Sequence, residues 1–156
     1  MQIITESYAE TKQIGRALGS LLGAGDIVAL YGDLGAGKTA FSQGIAAGMG
    51  IEDAITSPTY LVIKVYPADL PLYHIDTYRL EGSEDLVYLG YEEFFFGTGV
   101  TVIEWAEKIS DLLPEERLDV NIEVMGEFKR KLKFTGKGKL YMRLLEELEK
   151  NVDTCC

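Results

Sequence analysis

Ile27-Val28-Ala29-Leu30-Tyr31-Gly32-Asp33-Leu34-Gly35-Ala36-Gly37-Lys38-Thr39 decides how the rest of this chain is read. Five apolar residues form a run suited to a buried parallel strand, with Asp26 just before it. The next eight, Gly32 to Thr39, match G-x-x-x-x-G-K-[ST] at every position. Glycine lets the backbone turn tightly and aim successive N–H groups at one anion. A helix opening after Gly37 adds its positive end to that anion site. Lys38 is then placed to reach the β- and γ-phosphates of a nucleotide, and the Thr39 hydroxyl to ligate magnesium. The whole loop, Gly32, Asp33, Leu34, Gly35, Ala36, Gly37, Lys38 and Thr39, continues into Ala40 at the start of the helical segment.

Working outward, residues 7–22 space their apolar groups as an amphipathic helix with Ser7 as cap. Ala40–Met49 reads as a helix ended near Gly50. Strands are expected at Tyr60–Val65, Leu72–Ile75 and Val100–Ile103, connected by helices around Ser83–Leu89 and Glu93–Phe96. Asp119–Met125 and Phe128–Phe134 alternate about Gly126-Glu127 and predict an antiparallel hairpin, and Leu140–Lys150 predicts a closing helix. The pattern predicts an α/β fold: a P-loop NTPase-like, three-layer domain with a mixed central sheet and a C-terminal antiparallel hairpin. With 156 residues and no internal repeat or linker, one domain over 1–156 is expected.

Two strand segments end in an acid: Leu72-Tyr73-His74-Ile75-Asp76 and Val100-Thr101-Val102-Ile103-Glu104. Phosphoryl transfer needs an acid to orient magnesium and a group to position the attacking water, so Asp76 and Glu104 join Lys38 as catalytic candidates and Thr39 as metal candidates. Trp105, the sole tryptophan, either lines a nucleotide pocket or packs in the interior. His74 is expected to point into the surrounding structure. Ser57-Pro58-Thr59-Tyr60 is either a nucleotide-sensing switch or a proline turn entering a strand. Arg79 and Arg130 are candidates for charge stabilisation.

Net charge is −10, unevenly distributed. Residues 1–125 hold 7 basic and 20 acidic side chains, whereas 126–143 hold 7 basic and 1 acidic. That balance argues against a protein that coats nucleic acid by charge. The basic block either meets a phosphate or acidic partner or forms the solvated face of a strand pair. The only cysteines, Cys155 and Cys156, exclude a disulfide framework. No apolar run approaches a membrane span and no signal peptide is evident, so a cytoplasmic protein is expected. The absence of N-K-x-D lowers the case for a regulatory GTPase. Five scattered arginines fit poorly with the lid of a small-molecule kinase, the main alternative.

Taken together, the phosphate loop, Ser57-Pro58-Thr59-Tyr60, His74-Ile75-Asp76-Thr77-Tyr78-Arg79 and Val102-Ile103-Glu104-Trp105 closely resemble the TsaE (YjeE) family, the P-loop ATPase of bacterial tRNA threonylcarbamoyladenosine biosynthesis. The resemblance runs from the N-terminal helix through the Gly126–Arg130 hairpin. It implies ATP rather than GTP, magnesium, and partnership with the TsaB–TsaD complex, so that tRNA is reached indirectly. It further implies that Lys38 and Thr39 hold phosphate and magnesium, that Asp76 and Glu104 serve magnesium and hydrolysis, and that Trp105 lies near the nucleotide.

Overall fold

The buried run Ile27–Tyr31 is the middle strand of a seven-stranded sheet. This computed structural model describes residues 1–52, 55 and 62–154. In chain order the elements are β1 (Gln2–Thr5), α1 (Tyr8–Gly19), β2 (Ile27–Tyr31), α2 (Lys38–Gly48), β3 (Ile63–Tyr66), β4 (Leu72–Asp76), α3 (Ser83–Tyr88), α4 (Glu92–Phe95), β5 (Val100–Glu104), β6 (Arg117–Val124), β7 (Arg130–Lys137) and α5 (Lys139–Thr154). The strands lie in the order β1-β7-β6-β2-β5-β4-β3. β6, β2, β5 and β4 are mutually parallel, while β3, β7 and β1 join antiparallel at the two sides. The mixed sheet and the C-terminal hairpin are those the sequence predicts.

Alternation along the strands divides the core in two, because successive side chains point to opposite faces. Val28, Leu30, Val102 and Val120 face Leu18 of α1, Phe41 and Ile45 of α2, and Leu144 and Leu148 of α5. Ile27, Ala29, Ile75 and Ile103 face Leu86 of α3, Phe95 of α4 and the 3₁₀ turn Ala106–Ile109. Each fully buried Leu, Ile or Phe contributes about 1.5–3 kcal/mol.

Several boundaries shift from expectation. α1 ends at Gly19, not 22, and starts from a Ser7 cap whose hydroxyl accepts from the Glu10 N–H at 3.1 Å. α2 begins at Lys38, two residues before the predicted Ala40, because Gly37 is its cap. β3 begins at Ile63, and Tyr60 lies outside the described residues, as do Ser57–Thr59 and the two cysteines. β4 and β5 extend one residue further to include Asp76 and Glu104. Both hairpin strands are longer at their base, and α5 runs on to Thr154. β1, which pairs with β7, was not predicted, since four residues are too few for a periodic signal.

α1 and α2 meet backbone to backbone. A Cβ on Gly19 would lie 2.1 Å from the Ile45 carbonyl oxygen, and one on Gly44 would lie 2.1 Å from that of Lys12. Gly15 and Gly48 are equally closed, with 2.4 Å to the Phe41 oxygen and 2.1 Å to the Arg16 oxygen. Glycines four apart on both helices thus form a seam that admits no side chain, and the seam sets where α2 and its first residues lie.

This seam reverses the usual sign of a glycine substitution. Mid-helix Gly→Ala normally stabilises by about 1 kcal/mol through propensity. Gly44→Ala is expected instead to destabilise by about 1–3 kcal/mol through overpacking, lowering the thermal midpoint by several degrees. Gly23→Ala, whose nearest neighbour would be the Asp26 side chain at 3.9 Å, is the neutral control. Differential scanning calorimetry of the two variants checks the contrast.

Candidate functional site

Parallel register builds the site. Leu30 on β2 lies opposite Glu104 on β5, and Glu104 lies opposite Asp76 on β4. The phosphate loop leaves β2 just beyond Leu30, so loop and both acids share the C-terminal edge of three neighbouring strands. β2 sits between β5 and β6, at the point where connections diverge to the two sides, the usual ligand crevice of α/β sheets.

The loop takes the turns its glycines permit. Gly32, Gly35 and Gly37 have φ of 151°, 79° and 108°. A Cβ at Gly32 would approach the Ile122 carbonyl oxygen to 2.6 Å. Lys38 is 5% exposed, and its ammonium donates to the Gly32 carbonyl and, at 2.9 Å, to that of Asp33. It also lies 3.8 Å from the centre of the Trp105 ring, a cation–π contact. Burial pulls the Lys38 ammonium below its ordinary pKa, while Glu104, Glu107, Asp76 and Asp33 pull it back upward.

Glu104 is buried and uses both oxygens. Oε1 accepts from the Thr39 hydroxyl at 3.3 Å, and Oε2 meets Nε2 of His74. Asp76 accepts from the Tyr78 N–H at 3.0 Å. Burial raises the Asp76 pKa first of all; the Tyr78 hydrogen bond opposes this, and Glu104 adds to it. Thr39, Asp76 and Glu104 are thus a set of hard oxygen donors, the chemistry magnesium selects. Among the described residues no three His, Cys, Asp or Glu side chains converge as a metal cage.

Trp105 has φ 59° and ψ 42°, the only non-glycine with positive φ among the described residues. For a bulky residue this costs about 1–3 kcal/mol and tends to occur where function needs it. Buried Thr77 holds the bend: its hydroxyl lies 2.7 Å from the Trp105 carbonyl oxygen and 3.0 Å from that of Glu104. Tyr78 packs against the indole in a tilted contact, with ring centres 5.0 Å apart and planes inclined by 42°. The result turns Trp105 over Lys38, so of the two roles open to it, lining the pocket is the one observed.

These residues line a cleft of about 860 Å³, within the ordinary size of a small-molecule site. Of the predicted loop set, Leu34 through Ala40 line it, as do Asp76, Glu104 and Trp105. Gly32 and Asp33 instead bind Lys38 through their carbonyls. Tyr8, Thr11, Glu127 and Phe128 also line the cleft, and sequence reasoning missed them. Tyr8 and Phe128 are too far apart in the chain for any motif to join them. The Tyr8 hydroxyl donates to Gln43 of α2 at 2.6 Å, which anchors the ring beside the loop.

Both arginines singled out by sequence line the cleft, yet Arg130 spends its guanidinium on backbone. It donates to the carbonyls of Ala36 (2.9 Å) and Gly35 (3.3 Å) in the loop, and of Gly126 and Lys129 (2.9 Å each) in the hairpin. It clasps the hairpin to the phosphate loop. The neighbouring lysines pair with acids: Lys129 with Glu6 at 3.5 Å, Lys131 with Glu123 at 3.4 Å and Lys137 with Asp119 at 3.3 Å. Much of the basic block is therefore the salt-bridged face of a strand pair. Among the described residues no helix is long and apolar enough to cross a membrane.

Known proteins resemble this chain in sequence and in fold. Residues 5–132 match the family model "Threonylcarbamoyl adenosine biosynthesis protein TsaE". The tRNA threonylcarbamoyladenosine biosynthesis protein TsaE of Bacillus subtilis is 46% identical over 149 residues, covering 94% of this chain and 92% of that one. Its counterpart in Treponema pallidum is 42% identical over 132 residues, covering 85% and 98%. The crystal structure of YdiB from Bacillus subtilis superposes with a TM-score of 0.82 at 40% identity, over 97% of this chain and 95% of that one. With a family model spanning most of its length, and relatives matched nearly end to end, this chain belongs to the TsaE family.

Proposed function

We propose that the chain is a magnesium-dependent ATP-binding and ATP-hydrolysing subunit that assists the complex forming threonylcarbamoyladenosine in tRNA. One observation carries the reading: the phosphate loop, Thr39, Glu104 and Asp76 converge at one sheet edge in a member of a family named for that biosynthesis. In this reading residues 1–156 are one cytoplasmic ATPase domain, and TsaB–TsaD are its partners. It meets tRNA through them.

Each residue has a task that follows from its chemistry. The N–H groups of residues 35–39 and the first turn of α2 receive phosphate oxygens. Lys38 supplies a mobile charge, held in wait by two carbonyls it can release. Thr39, with Glu104 and Asp76, holds magnesium, which when bound neutralises charge developing on the phosphate oxygens. The carboxylates also orient the attacking water and accept its proton. Trp105 covers Lys38 and keeps water from the phosphates. The aromatic rings of Tyr8 and Phe128, which also line the cleft, suit the flat adenine base.

Two sets of variants test these assignments. A charged hydrogen bond contributes about 1.5–3 kcal/mol, so Lys38→Ala is expected to weaken ATP binding about 10- to 100-fold with the fold intact. Calorimetric titration with ATP and magnesium reads this directly, and unchanged affinity would remove the phosphate assignment. Glu104→Gln is expected to bind ATP while losing most hydrolysis, and Asp76→Asn to lose magnesium dependence as well. Phosphate release over a magnesium series measures both; turnover like the parent's in the two variants would point to other acids.

A further inference from the structure

His74 has no role in the site as assigned above, yet it is fully buried and its ring touches Glu104. It lies on β4 two residues before Asp76, hence on the same face of the strand, and opposite Val102 on β5. From there it reaches Glu104 Oε2 from the core side, while Thr39 holds Oε1 on the loop side. A carboxylate only accepts hydrogen bonds, so Nε2 carries the proton. Nδ1 has no partner among the described residues. Among the described residues the bond to Glu104 is the one polar tie of this buried ring.

A core position opposite valine is satisfied more simply by another apolar side chain. Placing imidazole there leaves Nδ1 buried with no partner among the described residues, and an unpaired buried nitrogen costs free energy. What the ring provides in return is direction. The last torsion of a glutamate side chain is broad, and the carboxylate of Glu104 has nearby cationic and hydroxyl donors toward which it can swing. A donor fixed beneath Oε2 leaves Oε1 as the oxygen presented to Thr39.

We propose that His74 is a positioning residue for Glu104, setting which carboxylate oxygen faces Thr39 and the magnesium. The inference rests on the reading of Glu104 given under Proposed function. Outer partners of metal-ligating carboxylates commonly matter 10- to 100-fold.

Three substitutions in the full-length chain separate positioning from packing. His74→Gln places an amide N–H near the position of Nε2, His74→Asn places it near Nδ1, and His74→Leu keeps volume without a donor. Each is measured for thermal midpoint, ATP affinity in EDTA, and the magnesium concentration that half-saturates the Trp105 fluorescence change on ATP binding. kcat and KM follow from phosphate release. His74→Asn and His74→Leu are expected to raise the half-saturating magnesium and lower kcat by about 10- to 100-fold, with affinity in EDTA and KM near the parent's. His74→Gln is expected to recover both to within about threefold.

Equal impairment in the Gln and Asn variants would overturn the proposal, as would parent-like magnesium dependence in all three. If His74→Leu fails to fold, the Gln–Asn contrast still decides. A His74→Gln variant that cannot fold counts against the proposal, since its amide is expected to satisfy the same oxygen. Glu104→Gln is run alongside. If that variant leaves magnesium dependence untouched, the assignment of Glu104 is the part that fails; if it shifts while Gln and Asn at 74 behave alike, only His74's role is lost.

Discussion

A buried carboxylate must be answered by hydrogen-bond donors on its open sides, and Glu104, 2% exposed at the end of the central sheet, sets that demand here. An unanswered charge at that depth would cost several kcal/mol. Thr39 answers from the phosphate loop and His74 from the neighbouring strand. Lys38, next to Thr39 at the start of α2, adds its positive field, and Glu104 in turn pulls the ammonium's pKa upward. Those donors come from the first turn of α2 and from β4. The arrangement exists only because β2, β5 and β4 pair in parallel with their ends level.

Holding donors level requires the loop and helix to be held too, and two features do so from opposite sides. The glycine seam between α1 and α2 brings the two backbones together so closely that no side chain fits between them, which ties α2 to α1. From the other side, Arg130 ties carbonyls of the loop to carbonyls of the β6–β7 hairpin. A planar guanidinium with five donors suits this; a lysine could not span as many acceptors. The cleft is thus walled by a helix pair and a hairpin far apart in sequence. The tight backbone at Trp105 is sustained by the same framework, since Thr77 bridges its carbonyl and that of Glu104.

Much of this was legible in the sequence, for local reasons. The phosphate loop carries its mechanism in eight consecutive residues, and an apolar strand ending in an acid is a local pattern, so Asp76 and Glu104 could be named before any pairing was known. The α/β class, the mixed sheet and the hairpin followed from runs and alternation. What escaped depends on pairing across the chain. Tyr8 and Phe128 reach one cleft only after α1 and the hairpin flank the loop. His74 reads as an ordinary core residue until strand register places it beside Glu104. Arg130 looks like a free cation by composition, but folding turns it onto backbone carbonyls. β1 was too short to show a period, and its stability comes from β7 rather than from its own sequence.

On the proposed function, this site hydrolyses ATP in the service of a larger assembly. The cleft is lined in part by aromatic rings exposed to solvent, Tyr8 and Phe128 among them, with no long helical lid over it in the described residues. A partner surface closing over it would supply that exclusion, and a transition-state cation in trans can be worth about 10³–10⁵ in rate. The most direct measurement is steady-state phosphate release from magnesium-ATP as purified TsaB–TsaD is titrated in, with complex formation followed in parallel. Slow turnover alone, rising steeply as the complex forms, is the predicted result. Flat turnover across a range where the complex demonstrably assembles would contradict it.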